Sequence, residues 1–94
     1  MYATIRRYRT DRGAEATRSA GRQFVHTLRG QPGFVAYYVV DTGVGEWTSI
    51  SVFEDRQAAE RSDRLAAEFV ARDGASVLLG EPEVSGGEVT LHAP

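Results

Sequence analysis

The hydrophobic pattern of the chain switches repeatedly between the two-residue period of a strand and the 3.6-residue period of a helix. Four segments are rich in aromatic and β-branched residues without helical spacing, which is typical of strands, and they lie at residues 2–9, 33–40, 47–53 and 83–92. A segment of helical period follows the first of these strands, and another follows the third. The sequence therefore predicts the order β-α-β-β-α-β.

Capping and stop signals mark where the two predicted helices begin and end. Thr10 or Asp11 is expected to cap the first helix, and Gly30 followed by Pro32 is expected to end it. Asp55 is expected to cap the second helix, which ends at residues 73–74 before a short apolar connector at 75–79. The inner faces are predicted to carry mainly small and apolar residues: Gly13, Thr17, Ala20, Gly21, Phe24 and Leu28 in the first helix, and Ala58, Ala59, Leu65, Ala66, Phe69 and Val70 in the second.

The six predicted elements use up the 94 residues, so residues 1–94 are expected to form one domain. Their order is that of the ferredoxin-like fold, an α+β sandwich in which two helices cover one face of a four-stranded antiparallel sheet. In this topology the first two strands run parallel with the third between them. The first helix supplies the crossover connection that parallel strands need.

The predicted sheet is apolar on both faces. Residues 34–40 are apolar or aromatic at every position, and in the third strand Trp47 and Phe53 share the face opposite Ile50 and Val52. Two helices cover only one face, and burial of apolar surface stabilises by about 25 cal/mol per Å². Although single exposed apolar residues are common, we expect a homodimer formed through the open sheet face.

The composition excludes several kinds of chemistry. The chain contains no Cys, Lys or Asn, and every basic residue other than histidine is Arg. Thiol nucleophiles, disulfides, thiolate metal sites and lysine Schiff bases are therefore ruled out. His26 on the outer side of the first helix and His92 near the C-terminus do not make a metal site, so no metal is expected.

The formal net charge is only −2, which gives no strong attraction to nucleic acid or membranes. The arginines of the first strand alternate with tyrosines, as in some nucleic-acid surfaces, but the basic-glycine-aromatic pattern of such proteins is absent from the third strand, so charge pairing is the expectation. The longest apolar run, at residues 34–40, is far shorter than the roughly 20 residues that cross a bilayer. No signal-peptide pattern follows the first arginines, and a cytoplasmic location is expected.

Polar residues that interrupt the apolar stripes are the candidates for a ligand site. Ser62 and Thr17 lie on the inner faces of the two helices, where each either lines a pocket or bonds back to a backbone carbonyl of its own helix. The nearest residues that could supply rings or hydrogen-bond donors are Arg7, Tyr37, Tyr38 and Trp47. The small residues on the inner faces leave room for a cavity or permit close helix packing. The substrate-binding candidates are Arg7, Tyr37, Trp47 and Ser62, and no catalytic residue is assigned.

Two stretches carry a family resemblance. Pro32-Gly33-Phe34 opens the second strand, and the apolar third strand ends at Phe53 and is followed by the acidic pair Glu54-Asp55 before an alanine-rich helix. In these features the chain resembles the antibiotic biosynthesis monooxygenase-like family of the dimeric α/β-barrel superfamily over nearly its whole length. The resemblance implies a dimeric α/β barrel. In the oxygenase branch it also implies an apolar cavity where a phenolate-like substrate reacts with dioxygen and no cofactor is used.

The resemblance leaves two functions open. The first is a cofactor-independent monooxygenase or related enzyme that acts on aromatic or polyphenolic compounds in an apolar pocket. The second is a non-catalytic dimeric domain that binds a small molecule. The haem-degrading branch of the family uses an Asn, a Trp and a His on a helix. Because Asn is absent, the second helix has no His and only Trp47 matches, that activity is not expected.

Overall fold

The computed structural model describes residues 1–74 and 78–94 and confirms the predicted order of elements. The strands are β1 (Tyr2–Arg9), β2 (Phe34–Gly43), β3 (Glu46–Phe53) and β4 (Glu83–Glu88), and the helices are α1 (Ala14–Arg29) and α2 (Arg56–Phe69). A π-helical turn over Val70–Gly74 continues α2. Most of the connector predicted at residues 75–79 lies outside the described residues.

The four strands form one antiparallel sheet in the order β2-β3-β1-β4. Because β3 is antiparallel to both neighbours, β1 and β2 run parallel with β3 between them, as the sequence predicts. Both helices pack on the same face of the sheet. The hydrophobic core lies between these layers and consists of Phe24, Leu28, Phe53, Ala58, Ala59 and Ala66, with Tyr2, Phe34, Tyr37, Leu65 and Phe69 packed against it.

The first helix begins later than its predicted caps. Its N-cap is Gly13, because Thr10 is still held to the sheet: its N–H donates to the Gly45 carbonyl at 2.9 Å, and it forms a backbone bridge with Leu78. The chain leaves the sheet only after these contacts, so neither Thr10 nor Asp11 caps α1. The Thr10 hydroxyl instead accepts a hydrogen bond from the Arg12 N–H at 3.0 Å.

The second helix begins as predicted. The Asp55 carboxylate accepts a hydrogen bond from the Ala58 N–H at 2.8 Å, which satisfies one of the free donors of the first turn. The buried residues of α2 are Ala58, Ala59, Ser62 and Ala66. The small side chains let α2 lie close to the sheet.

Strand β4 is shorter than the predicted 83–92. It pairs with β1 from Glu83 to Glu88, and the last backbone contact is from the Val89 N–H to the Met1 carbonyl at 2.9 Å, where β1 itself begins. The glycines of β4 do allow a close approach: a Cβ on Gly86 would lie 3.1 Å from the Tyr2 ring. The hairpin between β2 and β3 is also tighter than predicted, since only residues 44 and 45 separate the strands.

Alternation along the strands divides the sheet into two faces. The inner face, under the helices, carries Thr4, Arg6 and Tyr8 of β1 opposite Ser51, Ser49 and Trp47 of β3. The open face carries the other set, which includes Ile5, Arg7, Tyr38, Val40, Thr48, Ile50 and Val52. Within the described residues, no helix is long and apolar enough to cross a bilayer.

Candidate functional site

The middle of the inner face is polar. Thr4, Arg6, Ser49 and Ser51 form a strip across β1 and β3, and each is at most 3% exposed. Cross-strand pairing places Arg6 beside Ser49 and Thr4 beside Ser51. Within the described residues the Thr4 hydroxyl finds no hydrogen-bond partner. A buried polar strip is costly unless its groups are paired, so this part of the sheet is not built for stability alone.

Arg6 is the charged centre of the strip. Its Nη1 donates to the Ser51 hydroxyl at 3.4 Å, and its Nη2 donates to Oδ1 of Asp63 on α2. The Arg6 side chain is 3% exposed and that of Asp63 is 37% exposed. The ion pair therefore joins the sheet to the helix, with its carboxylate end reaching solvent.

Aromatic side chains lie next to this pair. The rings of Tyr8 and Trp47 stack with centroids 4.3 Å apart and planes inclined by 15°, and Tyr37 meets Phe24 edge-on at 6.0 Å. Burial raises the pKa of Tyr37 to about 12, and it also raises the pKa of Tyr8. Both phenols therefore stay protonated at neutral pH. The Nε1–H of Trp47 is buried without a hydrogen-bond partner among residues 1–74 and 78–94.

Of the spaces that adjoin these residues, two share a wall. The inner cavity lies between the helices and the sheet and has an almost wholly apolar lining. Its volume, counted as the space open to the centre of a water molecule, is only about 20 Å³. The side cleft lies between α2 and β4, offers about 430 Å³ by the same measure, and has Arg6 and Asp63 in its wall. Tyr8, Ala66 and Val70 line both spaces and so form the partition between them.

The structure brings together some of the residues predicted to bind substrate. Tyr37 and Trp47 both line the inner cavity. Ser62 is completely buried, and its hydroxyl donates to the Ala59 carbonyl at 2.7 Å, so it bonds within its own helix and lines neither space.

The remaining predicted residues do not reach the inner cavity. Arg7 lies on the open face, where it is exposed, and Tyr38 lies on the same face and is 56% exposed. The side chain of Thr17 lies outside the described part of the structure. The space between helices and sheet is also much smaller than the small residues on the helices lead one to expect, because Phe24 and Phe69 fill it, with ring centroids 5.1 Å apart.

Sequence reasoning missed Arg6, Tyr8 and Asp63. One signal for Arg6 and Tyr8 is present in the sequence, because alternation in a strand puts residues 4, 6 and 8 on the face opposite Arg7. No comparable signal marks Asp63, which lies among charged residues of α2 that read as a solvent-exposed face. Its role comes only from its contact with a strand 57 residues away in the chain.

The arrangement is suited to binding rather than to acid–base chemistry at neutral pH. The side cleft offers a guanidinium and a carboxylate side by side, and the inner cavity has apolar walls that include Trp47, whose indole N–H has no partner in the described residues. Within the described residues, no three histidine or acidic side chains come together in a way that would hold a metal ion. The site can therefore enclose, orient and hydrogen-bond a small molecule.

Comparison with solved structures identifies the fold. The chain is similar to NE2512, a protein of unknown function from Nitrosomonas europaea, with 18% identity, coverage of 99% of this chain and 92% of the other, and a TM-score of 0.77. It is similar to SnoaB, a cofactor-independent oxygenase from Streptomyces nogalater, with 18% identity, coverage of 99% and 96%, and a TM-score of 0.75. It is also similar to Rv0793 from Mycobacterium tuberculosis, with 18% identity, coverage of 99% of this chain and 98% of the other, and a TM-score of 0.74.

Sequence comparison identifies the family. No curated protein matches the chain. The family model for antibiotic biosynthesis monooxygenase matches residues 1–70, which include both helices, the first three strands, the polar strip and Asp63. The chain therefore belongs to the antibiotic biosynthesis monooxygenase family.

Proposed function

We propose that this protein is a cofactor-independent monooxygenase that acts on small aromatic or polyphenolic compounds. The observation that carries the proposal is the pairing of a small apolar cavity with a larger cleft across a wall formed by Tyr8, Ala66 and Val70. Membership of the family and the fold shared with SnoaB, which is named as a cofactor-independent oxygenase, support the same reaction class.

The two spaces differ in what they can hold. An apolar cavity stays dry and takes small apolar molecules, and the room of about 20 Å³ in the inner cavity is on the scale of one small molecule such as dioxygen. The side cleft, at about 430 Å³, is large enough for an aromatic ring system. In this assignment the substrate ring lies in the cleft against the partition, and dioxygen held in the inner cavity passes between the partition side chains to react with it.

The reaction needs no reductant other than the substrate. An anthrone-type methylene that reacts with dioxygen becomes a carbonyl: two C–H bonds and the O–O bond break, one oxygen atom forms the new C=O bond, and the second leaves as water with both hydrogens. All electrons come from the substrate carbon. The protein contributes enclosure and orientation, and it stabilises the negative charge that develops on oxygen.

Trp47 is the residue whose contribution can be tested most directly. Its Nε1–H is a buried donor without a partner in the described residues, and it lines the inner cavity. A donor held in place beforehand stabilises negative charge that develops on oxygen, and removal of one such donor typically lowers kcat by about 10²-fold or more. Trp47 therefore serves as the hydrogen-bond donor to reduced oxygen in this proposal.

An oxygen-electrode assay tests the function. The purified protein, with no metal or flavin added, is mixed with anthrones and dihydroxy-aromatic compounds, and ¹⁸O₂ is used to follow the label. One labelled oxygen atom in the product, with kcat lowered by Trp47→Phe and unchanged by Tyr38→Phe, supports the proposal. Tyr38→Phe is the matched control because it removes one polar group from an exposed ring on the open face. No consumption with any compound contradicts it.

The alternative is a non-catalytic domain that binds aromatic compounds. It is favoured by the raised pKa values of Tyr8 and Tyr37, since neither phenol can act as a base at neutral pH. Under this alternative an aromatic compound raises the melting temperature in proportion to its binding, while the oxygen electrode records no consumption.

We also propose that two copies associate through their open faces. Ile5, Tyr38 and Val40 are between 38% and 56% exposed there, and together they make an apolar surface that is unusual for a lone protomer. Light scattering after size-exclusion chromatography is expected to give the mass of a dimer. Tyr38→Arg is expected to give a monomer, and a monomeric wild-type protein at micromolar concentration would contradict this proposal.

A further inference from the structure

The ion pair in the side cleft has unused hydrogen-bonding capacity. A guanidinium has five N–H donors. Arg6 uses one toward Ser51 and one toward Asp63, and the remaining three have no protein acceptor within residues 1–74 and 78–94. On Asp63, Oδ1 accepts from Arg6, and Oδ2 likewise has no donor in the described residues. Free donors and a free acceptor oxygen therefore stand beside each other in the wall of the cleft.

Charge in the cleft selects between possible ligands. Its charged lining residues are Arg6, Asp63 and Glu81, which together carry one net negative charge. A carboxylate or phosphate ligand would meet this negative charge, whereas a neutral hydroxyl that donates a hydrogen bond would be stabilised by it. The cleft therefore favours a neutral ligand that offers both a hydroxyl donor and an oxygen acceptor.

The rest of the lining indicates the body of that ligand. Tyr8 presents an aromatic ring, and Ala66, Val70, Pro82 and Val84 supply apolar surface. An aromatic ring packs on such a surface through offset stacking and apolar contact. The polar pair and the apolar walls together match a flat aromatic molecule with oxygens at one edge.

We propose that the side cleft recognises aromatic compounds with two neighbouring hydroxyl groups, in which one hydroxyl donates to the Asp63 carboxylate and the adjacent oxygen accepts from Arg6. Arg6 and Asp63 are then specificity-determining residues. This inference rests on the proposed function for the presence of an aromatic ligand. It adds that the ligand carries two neighbouring hydroxyl groups and that Arg6 and Asp63 bind them.

The test compares two ligands with the same ring and the same oxygens, in one of which methyl groups replace the hydroxyl hydrogens. Binding of 2,3-dihydroxynaphthalene and of 2,3-dimethoxynaphthalene is measured by titration of protein fluorescence for the wild type and for Asp63→Asn. The amide keeps the size of the side chain and an acceptor for Arg6, but it replaces the free carboxylate oxygen with an N–H₂ donor. Glu68→Gln is the matched control, since it removes one negative charge from the exposed face of α2 outside the cleft.

The wild type is expected to bind the dihydroxy compound about tenfold or more tightly than the dimethoxy compound, because a hydrogen bond to a charged group is lost in the ether. Asp63→Asn is expected to reduce this preference to less than about threefold, with the affinity for the dimethoxy compound unchanged, whereas Glu68→Gln keeps the preference. Equal wild-type affinities, or a preference that survives in Asp63→Asn, overturn the inference and leave the proposed function standing. If neither naphthalene binds, the inference fails, and the oxygen-electrode assay with anthrones decides the proposed function separately. The wild-type comparison does not depend on how well the variant folds.

Discussion

The ion pair between β1 and α2 predicts a measurable stability effect for Asp63→Ala. The Arg6 side chain is 3% exposed, and after the substitution its guanidinium keeps only the 3.4 Å hydrogen bond to Ser51. Loss of one partner from a fully buried pair costs about 3–5 kcal/mol. Because Asp63 is 37% exposed, water can reach the vacated position, and the expected loss in unfolding free energy is about 1–3 kcal/mol.

Urea denaturation at pH 7 measures this loss. A fixed protein concentration keeps any contribution of association constant. The expected result is a lower midpoint with an unchanged m-value. Glu68→Ala is the control on the same helix, and as an exposed residue it is expected to change the unfolding free energy by less than about 0.5 kcal/mol.

A double-mutant cycle separates the cause. If the cost arises from an uncompensated buried charge, Arg6→Met combined with Asp63→Ala is expected to recover at least half of the loss, since no charge then remains. A loss below about 0.5 kcal/mol in the single variant would refute the reasoning. So would a double variant whose loss equals the sum of the two single losses, because the two side chains would then not act as a unit.

Two further predictions follow from the backbone and from the tyrosines. Gly33 has a φ of 82°, and a Cβ there would lie 3.1 Å from the Cβ of Ala58. Gly33→Ala is therefore expected to lower the unfolding free energy, measured by denaturation, by about 1–3 kcal/mol. Gly87→Ala is the control, because a Cβ at Gly87 meets open space, and it is not expected to cause this loss. The raised pKa of Tyr37, about 12 against 10 unfolded, means that the unfolded chain ionises first, so stability is full below pH 10 and falls as the pH rises toward 12. Tyr37→Phe is expected to reduce that slope in a series of melts, and an unchanged slope would show that Tyr37 is not its source.

The fold was predictable because its signals are local. The change of hydrophobic period, the Asp55 cap and the glycine-containing hairpin each act within a few residues, and each is present in the structure, the hairpin with a tighter turn than predicted. The start of α1 was not predictable in the same way. Thr10 has the side chain of a helix cap, but it is held to the sheet by backbone contacts with Gly45 and Leu78, which are distant in sequence.

The candidate site was harder to predict because it breaks the rule that apolar residues face the core. In β1 both alternate sets mix apolar and polar residues: Ala3, Ile5 and Arg7 face outward, while Thr4, Arg6 and Tyr8 are buried beneath α2. Alternation alone does not say which set faces the helices, and the prediction fell on Arg7 rather than on Arg6.

The burial of Arg6 is itself informative. Arg6 is buried at a cost, and that cost is met only partly by Asp63 and Ser51, since three guanidinium donors keep no protein partner in the described residues. An apolar pair of similar volume at these positions would hold β1 and α2 together at least as well. Sequences tend to keep such locally unfavourable groups where function needs them, and here the polar strip borders the one wall that the inner cavity and the side cleft share through Tyr8. The position of the strip thus argues for a ligand role of Arg6 independently of the family to which the chain belongs.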